Sequence, residues 1–138
     1  MKTDDTMPTN AFISIINRKH ASYINQKVKE EKLTYGLYPI LITIYRNEGI
    51  IQEEIAHHFQ LNESTVTRNL KKLEDKNLIQ RTQHERKKSI TLTEKGKQTA
   101  RKVMDYDEKW DEKIQDILNN EEYLNFKNTL IKLCDELN

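Results

Sequence analysis

Apolar residues recur at helical spacing over most of the chain, and the pattern divides it into successive elements. Phe12, Ile13, Ile16, Tyr23, Ile24 and Val28 mark one face of a helix from Asn10 to about Glu31, with His20 on the same stripe. Leu37, Ile40, Leu41, Ile44 and Tyr45 mark a second helix ending near Asn47. Thr34 is a candidate cap, but Pro39 would then lie beyond the first turn, so the regular helix is expected to start nearer Leu37. Gly49 suits a helix end. Gln52–Phe59 is a short amphipathic helix with Ile55, Ala56 and Phe59 inward. Its cap position is Ile51, although Glu54 stands where a capping box would want it. Asn62 is a good N-cap for a helix from Glu63 to about Lys76, whose buried stripe is Val66, Leu70 and Leu73. Asn77 is a plausible left-handed terminator.

The period then changes. Leu78–Thr82 and Ser89–Leu92 are alternating or β-branched and enclose "QHERKK", which predicts a small hairpin with a basic loop. Thr93 caps a long helix reaching about Asn119, roughly 40 Å at about 1.5 Å per residue. Its stripe is Val103, Met104, Trp110, Ile114, Ile117 and Leu118, with Trp110 read as a core anchor. "NNEE" breaks it, and Leu124, Leu130, Ile131, Cys134 and Leu137 stripe a last helix. The expected fold is mainly α with a small β-hairpin wing. Residues 1–9 are expected to be disordered and 10–138 to form a single domain. Within it, 36–92 would be a winged helix-turn-helix, and 10–35 and 93–138 dimerisation helices. Homodimerisation is the economical way to cover apolar stripes that so small a middle region leaves bare.

Composition supports long, wet helices: hydrophobic residues are 36% and charged residues 33%, with three Gly and two Pro. The net charge of +1 conceals an asymmetry. Residues 1–61 are neutral, 62–102 carry net +7 and 103–138 carry net −6. A local basic block is the electrostatic footprint of a polyanion partner, though an unevenly charged solvated surface has the same signature. The single cysteine, Cys134, excludes an internal disulfide framework. On its apolar stripe it is read as a small buried hydrophobe. His57 and His58 follow Glu53 and Glu54 at i, i+4 spacing, but no cysteine or third histidine joins them, so no metal is expected. No nucleophile–base constellation or Gly-rich phosphate loop points to an enzyme, and no cofactor is expected. The polar start and the lack of a long apolar run point to a cytoplasmic protein without membrane contact.

The stretch "GIIQEEIAHHFQLNESTVTRNLKKLEDKNLIQRTQHERKKSITLTEKGK", Gly49 to Lys97, resembles the multiple-antibiotic-resistance regulators, the MarR family. "QEEIA" is similar to that family's positioning helix, "STVTRNLKKLEDKNLI" to its recognition helix and exit, and "LTEKG" to its junction from wing to long helix. The resemblance implies a dimeric winged-helix transcription factor on a pseudo-palindromic operator in double-stranded DNA. A repressor released by a small aromatic or phenolic effector is the leading form. A winged-helix protein-interaction module, or a metal- or redox-responsive regulator of the same fold, is the alternative. Three features depart from the family pattern: His84 stands where an acidic residue often precedes the wing arginine by two places, Asn77 replaces the usual Gly, and Ile51 replaces the Ser/Thr cap before "QEEIA".

The residues suit that role chemically. A helix fits the major groove, and its first turns meet base edges. Ser64, Thr65, Thr67 and Arg68 occupy those turns, away from the apolar stripe, with Gln52 and Asn62 beside them. Asn69 and Lys72 lie farther along, toward the backbone or groove rim. Arg86, Lys87 and Lys88 belong to the wing, where an arginine suits a narrow minor groove. Strand alternation would put Arg86 and Lys88 on one side and Lys87 on the other. His20, Tyr23, Tyr35, Tyr38 and Arg46 are candidate effector contacts, aromatic walls with a cation, and serve equally well as core and dimer contacts.

Overall fold

A computed structural model describes residues 2–31, 33–34 and 36–137. Tyr35 therefore lies outside the described residues. The chain forms two compact units, residues 1–104 and 105–138. The first holds helices α1 (Thr9–Val28), α2 (Tyr38–Arg46), α3 (Gln52–Phe59) and α4 (Glu63–Asp75), a three-stranded sheet, and the start of α5 (Glu94–Ile117). The second holds the rest of α5 and α6 (Asn120–Glu136). The mainly α architecture with a hairpin wing is as the sequence predicts.

Local chemistry explains most boundaries. Pro39 falls within the first two positions of α2, where its missing N–H costs nothing. The Thr34 carbonyl accepts from Leu37 and Tyr38 at 3.0 and 3.2 Å, so Thr34 closes a turn ahead of the helix instead of capping it. At the start of α3, Glu54 accepts from the Ile51 N–H at 3.3 Å, and isoleucine has no acceptor to return the bond. Asn77 ends the α4 turn at φ 60°. Thr93 caps α5 by accepting from Gly96 N–H at 2.9 Å, while its own hydroxyl donates to the Asn77 carbonyl at 2.7 Å.

The sheet consists of β1 (Ile50–Ile51), β2 (Ile79–His84) and β3 (Lys87–Leu92), in the order β1-β3-β2 and all antiparallel. β1 is an element the sequence pattern did not predict. It sets Ile50 opposite Ile90 and Ile51 opposite Ser89. The hairpin strands are longer than expected, since His84 pairs with Lys87 and leaves a two-residue loop. Glu85 takes the positive φ of 57° that such a tight loop imposes. Arg86 consequently lies in the loop, so strand alternation does not apply to it.

The core of the first unit gathers Ile24 and Val28 of α1, Ile40, Leu41 and Ile44 of α2, and Ile55 of α3. Val66, Leu70 and Leu73 of α4, Ile90 of β3 and Val103 of α5 complete it. Gly96 is required where α5 meets the wing. A Cβ there would stand 2.0 Å from the Leu78 carbonyl oxygen. The N-terminal half of α1 is less covered, with Ile13 and Ile16 exposed. Trp110 is half-buried. Cys134 is exposed, which corrects its reading as a buried hydrophobe: among the described residues the apolar positions of its stripe, Leu124, Leu130, Ile131 and Leu137, are exposed as well.

Candidate nucleic-acid interface

α3 and α4 form a helix-turn-helix. The turn is made by Gln60 at φ 52°, whose N–H returns to α3, and by Leu61 N–H on the Ala56 carbonyl at 3.0 Å. This left-handed stop lets Asn62 adopt the extended φ −74°, ψ 157° of an N-cap. Asn62 Oδ1 accepts from Thr65 N–H at 2.8 Å and from Ser64 Oγ at 2.8 Å. One turn on, Thr67 Oγ1 donates to the Glu63 carbonyl at 2.8 Å and accepts from Gln52 Nε2 at 2.7 Å. Arg68 Nη2 donates to Thr65 Oγ1 at 3.3 Å.

These bonds bring Gln52, Asn62, Ser64, Thr65, Thr67 and Arg68 together at the N-terminal end of α4. Ser64, Thr67 and Arg68 are exposed, and Thr65 and Gln52 are half-buried. The opposite face of α4 is fully buried by Val66, Leu70 and Leu73. Farther along, Asn69 is half-buried and Lys72 exposed. Arg86, Lys87 and Lys88 are exposed at the wing tip.

The basic block is not uniformly available to a partner. Lys71 pairs with Asp75 at 3.0 Å, and Arg81 with Glu74 at 3.2 Å. The second pair ties α4 to β2 and has its arginine largely covered. Among the described residues no ion pair engages Arg68, Lys72, Arg86, Lys87 or Lys88. An α-helix N-terminus with oriented N–H groups adds a favourable field for phosphate.

Two supporting ties were not legible in the sequence. Lys95 Nζ donates to the Lys76 carbonyl at 3.2 Å, neutralising the carbonyl end of α4. Glu48 Oε2 accepts from Leu92 N–H at 3.4 Å, joining the turn after α2 to the end of the wing. Both span long separations in sequence, and no local pattern marks them.

The effector candidates are distributed. Tyr38 is buried in the core, and His20 and Tyr23 are half-buried on α1, with Lys27 Nζ 5.7 Å from the Tyr23 ring centre. Arg46 is exposed and lines an open cleft of about 670 Å³ with Thr43, Asn47, Ile50, Glu53, Glu54, His57 and His58. No helix among the described residues is long and apolar enough to cross a membrane.

A short anchored helix, a second helix packed across it and a hairpin wing define a winged-helix module. Residues 33–88 match the MarR family model, and this winged-helix head is a MarR-family region. The chain is 41% identical over 88 residues to the uncharacterized HTH-type transcriptional regulator YybA of Bacillus subtilis, a match covering 62% of this chain and 59% of that relative's length. In fold it is similar to MarR itself, with a TM-score of 0.89, 26% identity and coverage of 99% and 95% of the two chains. It is also similar to a MarR-family regulator from Listeria monocytogenes complexed with a 26mer DNA, with a TM-score of 0.85, 26% identity and coverage of 95% and 89%. The relatives are named as transcriptional regulators, a non-enzymatic class.

Proposed function

We propose that the chain is a homodimeric, cytoplasmic, sequence-specific DNA-binding regulator of transcription, acting as a repressor that a small aromatic or phenolic effector releases. The observation that carries the reading is the end of α4. Its side chains are fixed by the bonds from Asn62 and Gln52, exposed on one face and anchored by a fully buried stripe on the other. Arg68, Lys72, Arg86, Lys87 and Lys88 supply attraction to phosphate. The Listeria relative solved with DNA supports the same use of this fold.

The dimer is supported by apolar residues that stand exposed on α1 and α6. Two heads related by a two-fold axis fit a pseudo-palindromic site with half-sites about one helical turn, roughly 34 Å, apart. Arg46, exposed at its cleft, offers a cation to an effector carboxylate, and an effector that favours another head spacing would shift the population away from the DNA-bound form.

Fluorescence anisotropy with the duplex upstream of the chain's own coding region tests this. The expected result is binding roughly a thousandfold tighter than to a scrambled duplex at moderate salt. Arg68→Ala should weaken it at least about tenfold. Equal affinity for both duplexes rejects the reading. Regulation that survives Arg68→Ala intact favours the protein-interaction module instead.

A further inference from the structure

The hydrogen bonds at the head of α4 fix not only where its hydroxyls are but which way their protons point. A carbonyl oxygen only accepts, so the 2.8 Å contact to Glu63 holds the Thr67 proton inward. The Gln52 group facing Thr67 at 2.7 Å must then be its amide nitrogen. The same nitrogen lies 3.5 Å from the Glu63 carbonyl, which agrees. Asn62 presents an oxygen to the Thr65 N–H, because an N–H requires an acceptor. Ser64, 2.8 Å from that same oxygen, must donate to it. Both exposed hydroxyls have therefore committed their protons to the protein. Ser64 keeps two acceptor positions and Thr67 keeps one, together with its methyl group.

We infer that Ser64 and Thr67 read DNA only as hydrogen-bond acceptors, so that α4 selects the amino-bearing bases adenine or cytosine over the keto bases guanine or thymine at the positions they face. This rests on the DNA-binding reading above and adds a specificity rule to it. In the major groove adenine N6 and cytosine N4 are donors, whereas guanine O6 and thymine O4 accept and would confront a lone pair. The same polarity makes these hydroxyls poor phosphate ligands, since phosphate also requires a donor. The strongest donor left in the first two turns is Arg68, whose guanidinium is lightly held by Thr65 at 3.3 Å and free to swing to guanine or phosphate. Gln52 is a positioning residue. It occupies one lone pair of Thr67 and narrows what remains to a single direction.

The test is selection of binding sites by the full-length protein from a random duplex pool, repeated with Ser64→Ala and Thr67→Val. Unchanged melting temperatures establish that each variant is folded, and Ser64→Ala carries the result should Thr67→Val unfold. The parent is expected to select adenine or cytosine at one position per half-site, and Ser64→Ala to make that position indifferent. Replacing that base by purine, or by 2-pyrimidinone for cytosine, removes the amino group. It should weaken parent binding roughly three- to tenfold and leave Ser64→Ala unaffected. A parent that selects a clear site while Ser64→Ala selects the same one overturns the inference and leaves DNA binding intact. So does a loss of preference at a guanine or thymine. A parent that selects no sequence overturns the DNA-binding reading and the inference with it.

Discussion

α4 and α6 begin in the same way and end in different circumstances. Each starts on an asparagine whose side chain accepts the third N–H of the helix at 2.8 Å, Asn62 for α4 and Asn119 for α6. Each carries an apolar stripe. In α4 the stripe is completely buried, with Val66, Leu70 and Leu73 all at 0% exposure. In α6 no residue is buried: Leu124, Leu130, Ile131 and Leu133 are 41–59% exposed, and Leu137 just past its end is 72% exposed. α6 also has the more complete local closure, because Glu122 returns a bond to Asn119 N–H at 3.2 Å. Local rules write both helices equally well, and what separates them is whether the chain itself provides a surface for the stripe. The head is a finished structure that offers its polar face outward. The last helix is a finished helix with an unfinished neighbour.

The contrast is broken most directly in the head. Gly96→Ala would force a methyl group to within 2.0 Å of the Leu78 carbonyl, a backbone atom that cannot step aside without displacing the wing from α5. We expect a loss of at least about 3 kcal/mol in denaturant-monitored stability. A variant within about 0.5 kcal/mol of the parent would show that the α5–wing junction is looser than the geometry requires.

On the other side of the comparison, a pair of charges placed on α6 should leave the head folded and act on association. Leu130 and Leu133 lie one turn apart and are 41% and 42% exposed in the single chain. Leu130→Glu with Leu133→Glu should weaken self-association by about 2 kcal/mol, or about thirtyfold, by sedimentation across a dilution series. The head's near-ultraviolet signal should be retained. Should the double variant sediment like the parent at every concentration, the exposed stripe of α6 is not the surface that brings two copies together.

Much of this fold was legible because its helix ends are written locally. Asn62, Asn77 and Thr93 each carry a side-chain or backbone preference that acts within three residues, and each does in the structure what its chemistry predicts. Pro39 likewise placed the start of α2. What was not legible depends on distant partners. β1 is only two residues long and exists because Ile90 and Ser89, some forty positions away, pair with it. The wing loop was drawn too long because Gln83, His84, Lys87 and Lys88 lack strand-like composition, yet the ladder extends through them. Arg86 stays in the shortened loop, so the side that strand alternation assigned to it does not hold. Cys134 shows the limit of a periodic stripe, which says that a face is apolar but not that the chain covers it. At the candidate site the polar residues that the structure gathers were visible, while the direction of each hydroxyl proton was not. The Glu63 carbonyl takes the Thr67 proton and Asn62 Oδ1 takes that of Ser64, while Gln52, fifteen positions from Thr67, occupies one of its lone pairs.

The smallest expected effect sharpens the comparison where the two helices are most alike. Asn62→Ala removes the acceptor of the Thr65 N–H and should lower head stability by about 1 kcal/mol. Asn119→Ala should cost α6 a similar amount, read as faster amide exchange in residues 120–123 with no change in head melting. Asn62→Asp separates stability from recognition. A carboxylate still accepts from Thr65 and Ser64, and its charge suits the helix N-terminus, so stability should stay within about 0.5 kcal/mol of the parent. The same charge at a phosphate-facing end should weaken DNA binding severalfold and more so at low salt, where repulsion is least screened. Asn119→Asp should change neither quantity, since residues 103–138 already carry net −6 and do not attract phosphate. If Asn62→Asp binds DNA like the parent while Asn119→Asp does not, the two capped ends have exchanged the roles assigned to them.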